Sequence, residues 1–192
     1  DLTPVVCEKG SVGACGDLSP MSQIALSLMG EGEMFVDGEI VDSKEALKKI
    51  GLEPLELEAR DGLALINGSN VLTALAAITL YDAKKWMKLH DIAAAMTLEA
   101  LMANMKPYDK RIHELRGFNG SQTIANNLNL LTEESEILFS GGKKVQDAYS
   151  MRSTPQVAGT LRDSIDYAVS QVEIELNGVG DNPIFLTNEK DV

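Results

Sequence analysis

Apolar residues recur every three or four positions along most of the chain, which is the pattern of amphipathic helices. Near the start, this pattern predicts a helix that Asp17 or Ser19 can cap and that Gly30 can end. Residues 71 to about 89 and 92 to 105 follow the same spacing, as do residues 154 to 176. Because the first half of the segment that starts at residue 71 is apolar nearly all round, we expect a helix buried in a bundle there.

A different pattern follows the first predicted helix, where short apolar runs alternate with turn residues. Asp37-Gly38 stands between two such runs and is a strong signal for a β-hairpin. Asp42 followed by Glu45 resembles a capping box, which predicts a short helix directly after the hairpin. The sequence therefore predicts a mainly α chain, a long-helix bundle with a small mixed α/β element near the N-terminus.

Four breaks interrupt the helical pattern, and glycine, proline or asparagine marks most of them. They fall at residues 67–69, 106–109, 117–120 and 132–144. The last break is polar and contains Gly141-Gly142, so we expect a flexible loop there. We predict two regions: residues 1–60 contain the first loop, helix and hairpin, and residues 61–192 form part of a central helical bundle.

Net charge excludes one class of partner. Lys and Arg number 17 and Asp and Glu number 29, so 17 − 29 gives a net charge of −12. A nucleic-acid-binding protein needs a basic surface to neutralise phosphates, so we predict no nucleic-acid partner. The hydrophobic share of 44% and the charged share of 24% are typical of a folded domain rather than a disordered chain.

Two further features concern location. The apolar run from Val71 to Tyr81 is too short to span a bilayer, and no signal-peptide pattern opens the chain, so we predict no membrane partner. Cys7 and Cys15 are the only cysteines, too few for a disulfide framework or a four-ligand zinc site. These observations favour a reducing, cytoplasmic location and predict no metal.

The glycine-dense loop before the first helix carries the candidate chemistry, and three interpretations of Ala14, Cys15 and Gly16 are open. The first is a tight turn with a small buried cysteine. The second is a thiolate activated by the helix N-terminus, although His90 and His113 lie in helical sequence and offer no evident base. The third is backbone cyclisation, in which the Gly16 amide nitrogen attacks the Ala14 carbonyl carbon.

The string GSVGACGDLSPMSQIALSLMGEGE, residues 10–33, resembles the signature of the histidine and phenylalanine ammonia-lyase family. Four more motifs resemble the family in the family's order, so the resemblance covers essentially the whole chain. They are GLEPLELEARDGLALINGSN (51–70), KPYDKRIHELRG (106–117), KKVQDAYSMRSTPQVAG (143–159) and EIELNGVGDNPIFL (173–186). The resemblance implies the ammonia-lyase fold.

In this family an Ala-Ser-Gly tripeptide cyclises to a methylidene-imidazolone prosthetic group. The resemblance therefore implies that Ala14, Cys15 and Gly16 form this group autocatalytically. Cys15 stands where the family has Ser, and a thiol can leave as hydrogen sulfide where a hydroxyl leaves as water. The alternative is that Cys15 blocks formation of the ring. Asp17, beside the loop, can either assist the proton transfers or cap the following helix.

The resemblance also implies the substrate-binding residues. Arg152 would pair with the substrate carboxylate, Tyr149 and Gln146 would line the catalytic site, and Asn67 would contact the ring and the substrate. The spacing of Gln146, Tyr149 and Arg152 suits one face of a helical turn. Taken from the residues alone, these three positions would be a solvated helix start and Asn67 an ordinary turn residue.

The segment VQDAYSMR resembles the histidine members of the family more than the others. This implies elimination of ammonia from L-histidine to give urocanate. One alternative is a phenylalanine or tyrosine ammonia-lyase or aminomutase with the same group. An alternative of another class is an inactive structural or assembly fragment.

The resemblance further implies a homotetramer whose sites combine several subunits. It places the family's tyrosine base before residue 1, so we expect the 192-residue chain alone to be inactive.

Overall fold

The computed structural model describes residues 1–14 and 16–180, which are mainly helical. These residues form two compact units. The first unit contains residues 1–76 and the described residues from 172 onward, and the second contains residues 77–171. The prediction of a mainly α fold with a small mixed α/β element is confirmed.

A three-stranded antiparallel sheet lies in the first unit. Its strands are, in order, β1 (Leu2–Pro4), β2 (Glu33–Val36) and β3 (Glu39–Asp42). β2 and β3 form the predicted hairpin, because Asp37 and Gly38 adopt φ values of 52° and 89° that suit a two-residue turn. The sequence pattern does not predict β1, because its three residues pair only with the distant β2 and carry no strand signal of their own.

The helices α1 (Leu18–Leu28), α2 (Ser43–Lys49) and α3 (Asp61–Ile66) belong to the first unit. α1 and α2 are the two helices that the sequence predicts there, whereas the short α3 is not predicted. Met34 of β2 packs with Ala46 and Leu47 of α2 in a small apolar core. The sheet and α2 therefore form the mixed α/β element near the N-terminus.

Asp42 caps α2, as its sequence position predicts. Its carboxylate accepts hydrogen bonds from the backbone N–H groups of Lys44 (3.0 Å) and Glu45 (3.2 Å). Because D42A removes both bonds, we expect it to lower the free energy of unfolding by about 1 kcal/mol. Urea denaturation followed by circular dichroism measures the loss, and D42S, which keeps a side-chain oxygen, should lose less. An unchanged midpoint for D42A would contradict this account of the helix start.

The remaining helices build the second unit. They are α4 (Asn70–Ala100), α5 (Lys110–Arg116), α6 (Asn119–Leu131), α7 (Tyr149–Arg152) and α8 (Thr154–Asn177), with a 3-10 turn at Lys106–Tyr108. The first residues of α4 and the last residues of α8 fall in the first unit. The apolar core of the second unit comprises Met87, Ala95, Leu98, Ala103, Tyr108, Ile124, Leu128, Leu138, Ala158 and Ile165.

Helices α6 and α8 touch through two glycines. A Cβ built on Gly159 would lie 2.6 Å from Cα of Ser121, and one built on Gly120 would collide with the Gly159 carbonyl oxygen. The sequence suggests a break at residues 117–120, but α6 already begins at Asn119 and includes Gly120. Gly120 is therefore used for close helix packing, while Gly117, with φ 79°, ends α5.

A buried carboxylate joins three helices of the second unit. Asp91 of α4 is 3% exposed and accepts hydrogen bonds from Nδ2 of Asn127 on α6 (2.6 Å) and Nη2 of Arg162 on α8 (3.0 Å). Both donors point at the same carboxylate oxygen. A buried charge is tolerated when it is paired and hydrogen-bonded in this way.

The helical segments predicted at residues 71–89 and 92–105 form one continuous helix, α4, which ends at Ala100 and not at the predicted Met105. The predicted burial of its first half is also wrong for the described residues. Ile78 is 61% exposed and Tyr81 is 71% exposed. An apolar helix is buried only where another element packs on it, and the described residues leave these side chains open.

By length and composition alone, the stretch Asp61–Ala100 contains 18 consecutive residues apolar enough to cross a membrane, with a mean hydropathy of 1.7. The fold interrupts this stretch between α3 and α4, at residues 67–69. After the interruption, the uncharged part of α4 ends before Asp82, which is shorter than the roughly 20 residues that a span needs. Length and composition therefore give only weak support for a membrane segment.

Candidate functional site

The glycine-dense loop precedes α1 in the first unit. Gly13 and Gly16 have φ values of 65° and 78°, which lie in the left-handed region that favours glycine. Gly13 and Ala14 are exposed, whereas Gly16 is half-buried. The predicted site residue Cys15 lies outside the described residues. The loop therefore presents Ala14 to solvent and turns sharply at the glycine beyond Cys15.

Gly16 packs against Asn67, the residue that ends α3. A Cβ built on Gly16 would lie 2.6 Å from Oδ1 of Asn67 and 3.2 Å from its Cα. Beside this contact, the backbone N–H of Asp17 donates to the Gly68 carbonyl at 2.8 Å, so the loop is attached to residues 67 and 68. The structure therefore brings together Ala14, Gly16 and Asn67, which the sequence predicts as members of one site.

Asp17 has a different role from the predicted cap of its own helix. It occupies the N-cap position of α1, but its side chain makes no capping hydrogen bond there. Its buried carboxylate accepts hydrogen bonds from the Ser11 hydroxyl and from the backbone N–H of Leu72 in the first turn of α4 (2.8 Å). Asp17 therefore links the loop to the start of α4.

A cavity of about 380 Å³ lies beside the loop, and a second of about 550 Å³ lies next to it. Gly13, Ala14 and Gly16 line the smaller cavity, and residues 67–69 line both. Volumes of this size suit a small-molecule ligand. The loop and the break between α3 and α4 thus face space that can receive such a ligand.

The second group of predicted site residues belongs to the second unit. Tyr149 and Arg152 are the ends of the four-residue helix α7, and the guanidinium carbon of Arg152 lies 3.9 Å from the centroid of the Tyr149 ring. The Nε of Arg152 is buried and makes no protein hydrogen bond. Tyr149 is 74% exposed. This stacking holds the guanidinium while leaving donors for an anionic partner.

The prediction that Gln146, Tyr149 and Arg152 share one face of a helical turn is wrong. α7 begins at Tyr149, and Gln146 lies in the irregular segment before it, with an exposed side chain. Asp147, the next residue along the chain, is buried. The carboxylate of Asp147 binds the backbone N–H of Asn104, and the residues just before α7 are not helical.

The two histidines lie in the second unit and contact groups of that unit. His113 is fully buried, and its Nε2–H donates to the Pro107 carbonyl at 2.9 Å. Nδ1 of His90 lies 3.3 Å from the Asp91 carboxylate. Among residues 1–14 and 16–180, no cluster of three His, Cys, Asp or Glu side chains could hold a metal ion.

Sequence reasoning missed the polar contacts that attach these segments. The carboxylate of Asp17 binds a residue 55 positions away, and that of Asp147 binds the backbone N–H of Asn104, 43 positions away. Local spacing gives no signal for contacts this remote. The only hint is that each aspartate stands directly beside a predicted site residue.

Residues 1–192 match the aromatic amino acid lyase family, and the chain belongs to it. Members of this family are carbon–nitrogen lyases and related enzymes that act on aromatic amino acids.

Among curated relatives, the histidine ammonia-lyase of Clostridium tetani is 47% identical over 98% of this chain. The crystal structure of histidine ammonia-lyase from Trypanosoma cruzi is 35% identical, with a TM-score of 0.78 over 96% of this chain and 34% of that one. The phenylalanine aminomutase of Pantoea agglomerans is 28% identical, with a TM-score of 0.86 over 100% of this chain and 40% of that one. The chain spans 37% of the length of the Clostridium tetani protein.

Proposed function

We propose that this chain is the central segment of a histidine ammonia-lyase, which eliminates ammonia from L-histidine to give urocanate. The observation that carries the proposal is the 47% identity to a histidine ammonia-lyase over nearly the whole chain. The segment VQDAYSMR supports the same substrate, because it resembles the histidine members of the family. By the same resemblance, we propose a cytoplasmic homotetramer, with the isolated chain inactive.

The residues of the loop fit a prosthetic group formed from Ala14, Cys15 and Gly16. Ring formation needs a glycine amide that no side chain hinders, and Gly16 packs so closely on Asn67 that a Cβ would collide. When formed, the methylidene-imidazolone supplies an electrophile that turns the amino group of the substrate into a feasible leaving group. Asn67 would hold the group, because its side-chain oxygen already lies against Gly16.

The residues of the second unit would bind the amino acid. Arg152 would pair with the substrate carboxylate, since its buried Nε has no protein partner and its guanidinium is held over Tyr149. Tyr149 and Gln146 are both exposed, so they can line the catalytic site against the substrate. Because family sites combine several subunits, these residues would serve the same subunit's loop or a neighbour's.

The intact mass of the denatured protein tests the proposal for the prosthetic group. We expect a deficit of one water, lost when the Gly16 nitrogen closes on the Ala14 carbonyl carbon. We also expect loss of one hydrogen sulfide, eliminated across the Cα–Cβ bond of Cys15. The variant C15S is the matched control and should lack two waters instead. An unmodified mass in both proteins would overturn the proposal that residues 14–16 form the ring.

The similarity to a phenylalanine aminomutase, with a TM-score of 0.86, supports a second candidate that acts on phenylalanine or tyrosine. Turnover of histidine, phenylalanine and tyrosine by the full-length protein separates the two. We expect urocanate from histidine, which its ultraviolet absorbance reports. A clear preference for phenylalanine would favour the second candidate.

A further inference from the structure

The segment before α7, which carries Gln146, contains neither helix nor strand among its described residues 132–148. Around Gln146, the segment is attached by one asparagine. Nδ2 of Asn104 donates to the carbonyl oxygens of Lys144 and Val145, both at 3.2 Å. The backbone N–H of Asn104 donates to Oδ2 of Asp147 at 2.6 Å. The residues on both sides of Gln146 are therefore held by Asn104.

The amide group of the Asn104 side chain bonds to the protein's own backbone on both sides. Its Oδ1 accepts from the backbone N–H of Lys106 at 3.1 Å, while both hydrogens of Nδ2 are used by the two carbonyls. Asp147 is only 8% exposed, so its bond to Asn104 lies away from solvent. Just outside this contact, Nζ of Lys143 donates to the Met102 carbonyl at 2.8 Å.

Tyr108 attaches α7, the helix that follows this segment. Its ring is fully buried in the core of the second unit, and its hydroxyl donates to the Met151 carbonyl in α7. The Thr154 hydroxyl donates to that carbonyl as well, at 2.7 Å. Burial raises the pKa of the Tyr108 phenol, and the Asp147 carboxylate raises it further, so the hydroxyl keeps its proton and remains a donor.

Within this short stretch of chain, some side chains attach the backbone and others face solvent. Asn104 and Tyr108 donate hydrogen bonds to backbone oxygens and, in the case of Asn104, to a buried carboxylate. The side chains of Gln146 and Tyr149, which lie in the stretch that these bonds attach, are exposed. We propose that Asn104 and Tyr108 are positioning residues that set where Gln146, Tyr149 and Arg152 meet the substrate. This inference rests on the proposed function, because it assumes that those three side chains bind the amino acid.

The variants N104A and Y108F in the full-length protein test the proposal. We expect each to raise KM for histidine about tenfold, with a much smaller change in kcat, because Arg152 and the side chains that line the site become misplaced. The mass deficit at residues 14–16 should be unchanged. Hydrogen exchange of backbone amides 143–152 should become faster. Y108F keeps the buried ring and therefore tests the proposal even if N104A folds poorly.

N127A is the matched control. It removes an asparagine hydrogen bond of 2.6 Å to Asp91 in the same unit, and within the part of the chain that the structure describes this side chain makes no hydrogen bond to residues 143–152. We expect N127A to lose stability while its KM and the exchange of residues 143–152 stay close to the wild type. Equal effects of N104A and N127A on KM and exchange would overturn the proposal. If the wild type turns over no histidine, the proposed function fails, and the exchange comparison still decides whether Asn104 and Tyr108 hold the segment.

Discussion

Replacing Arg152 with lysine in the full-length protein should raise KM for histidine about 10- to 100-fold and lower kcat less. A charged hydrogen bond contributes about 1.5–3 kcal/mol, which corresponds to this range of affinity. Lysine keeps the charge but loses the planar fork that can pair with both carboxylate oxygens. It also loses the flat face that stacks on Tyr149 at 3.9 Å. Steady-state kinetics with histidine provide the measurement.

The chain offers a matched control for this substitution. Arg116 also lies over an aromatic ring, 5.9 Å from the centroid of Phe118, but it belongs to the exposed end of α5 rather than to α7. We expect R116K to leave KM unchanged. A common KM for R152K, R116K and the wild type would show that Arg152 does not bind the carboxylate.

Replacing Gly159 with alanine should lower the free energy of unfolding of the second unit by about 3 kcal/mol, at the upper end of the usual overpacking range. The new methyl group would lie 2.6 Å from Cα of Ser121, which is backbone and cannot rotate away. α6 and α8 would have to separate, and the packing around them would loosen. Trp86, the single tryptophan of the sequence, lies in this unit and reports its unfolding in urea by fluorescence.

Gly141 provides the comparison for Gly159. A Cβ on Gly141 would meet no atom within 4 Å, and its backbone has no left-handed φ. G141A should therefore change the free energy of unfolding by less than about 0.5 kcal/mol. If G159A unfolds at the same urea concentration as G141A, then the close contact of α6 with α8 contributes nothing to stability.

Local patterns account for most of the secondary structure. The Asp37-Gly38 turn, the Asp42 cap and the helix from Thr154 each depend on residues near one another in sequence, and all three are confirmed. Burial was less predictable. The apolar start of α4 predicts a covered helix, but burial depends on which elements pack against it, and periodicity contains no information about that.

For the candidate site too, the sequence identifies the residues better than it predicts their local geometry. The resemblance identifies residues 14–16, Asn67 and Arg152, and the structure packs Gly16 against Asn67. The spacing of Gln146 and Tyr149 suggests a helical turn, yet α7 starts only at Tyr149. The reason is the bond from Asn104 to Asp147, a contact between residues 43 apart that competes with helical geometry and has no local signature.

The attachment of Asp17 to Leu72 has a consequence for the order of events in folding. The two residues are 55 positions apart, so their hydrogen bond requires the closure of a long stretch of chain, which is entropically costly and comes after local helix formation. A peptide that contains only the loop and α1 has no Leu72 to bind the carboxylate. We therefore expect the glycine-dense loop to acquire its shape only after the start of α4 has docked, as one of the later steps on the route to the native state.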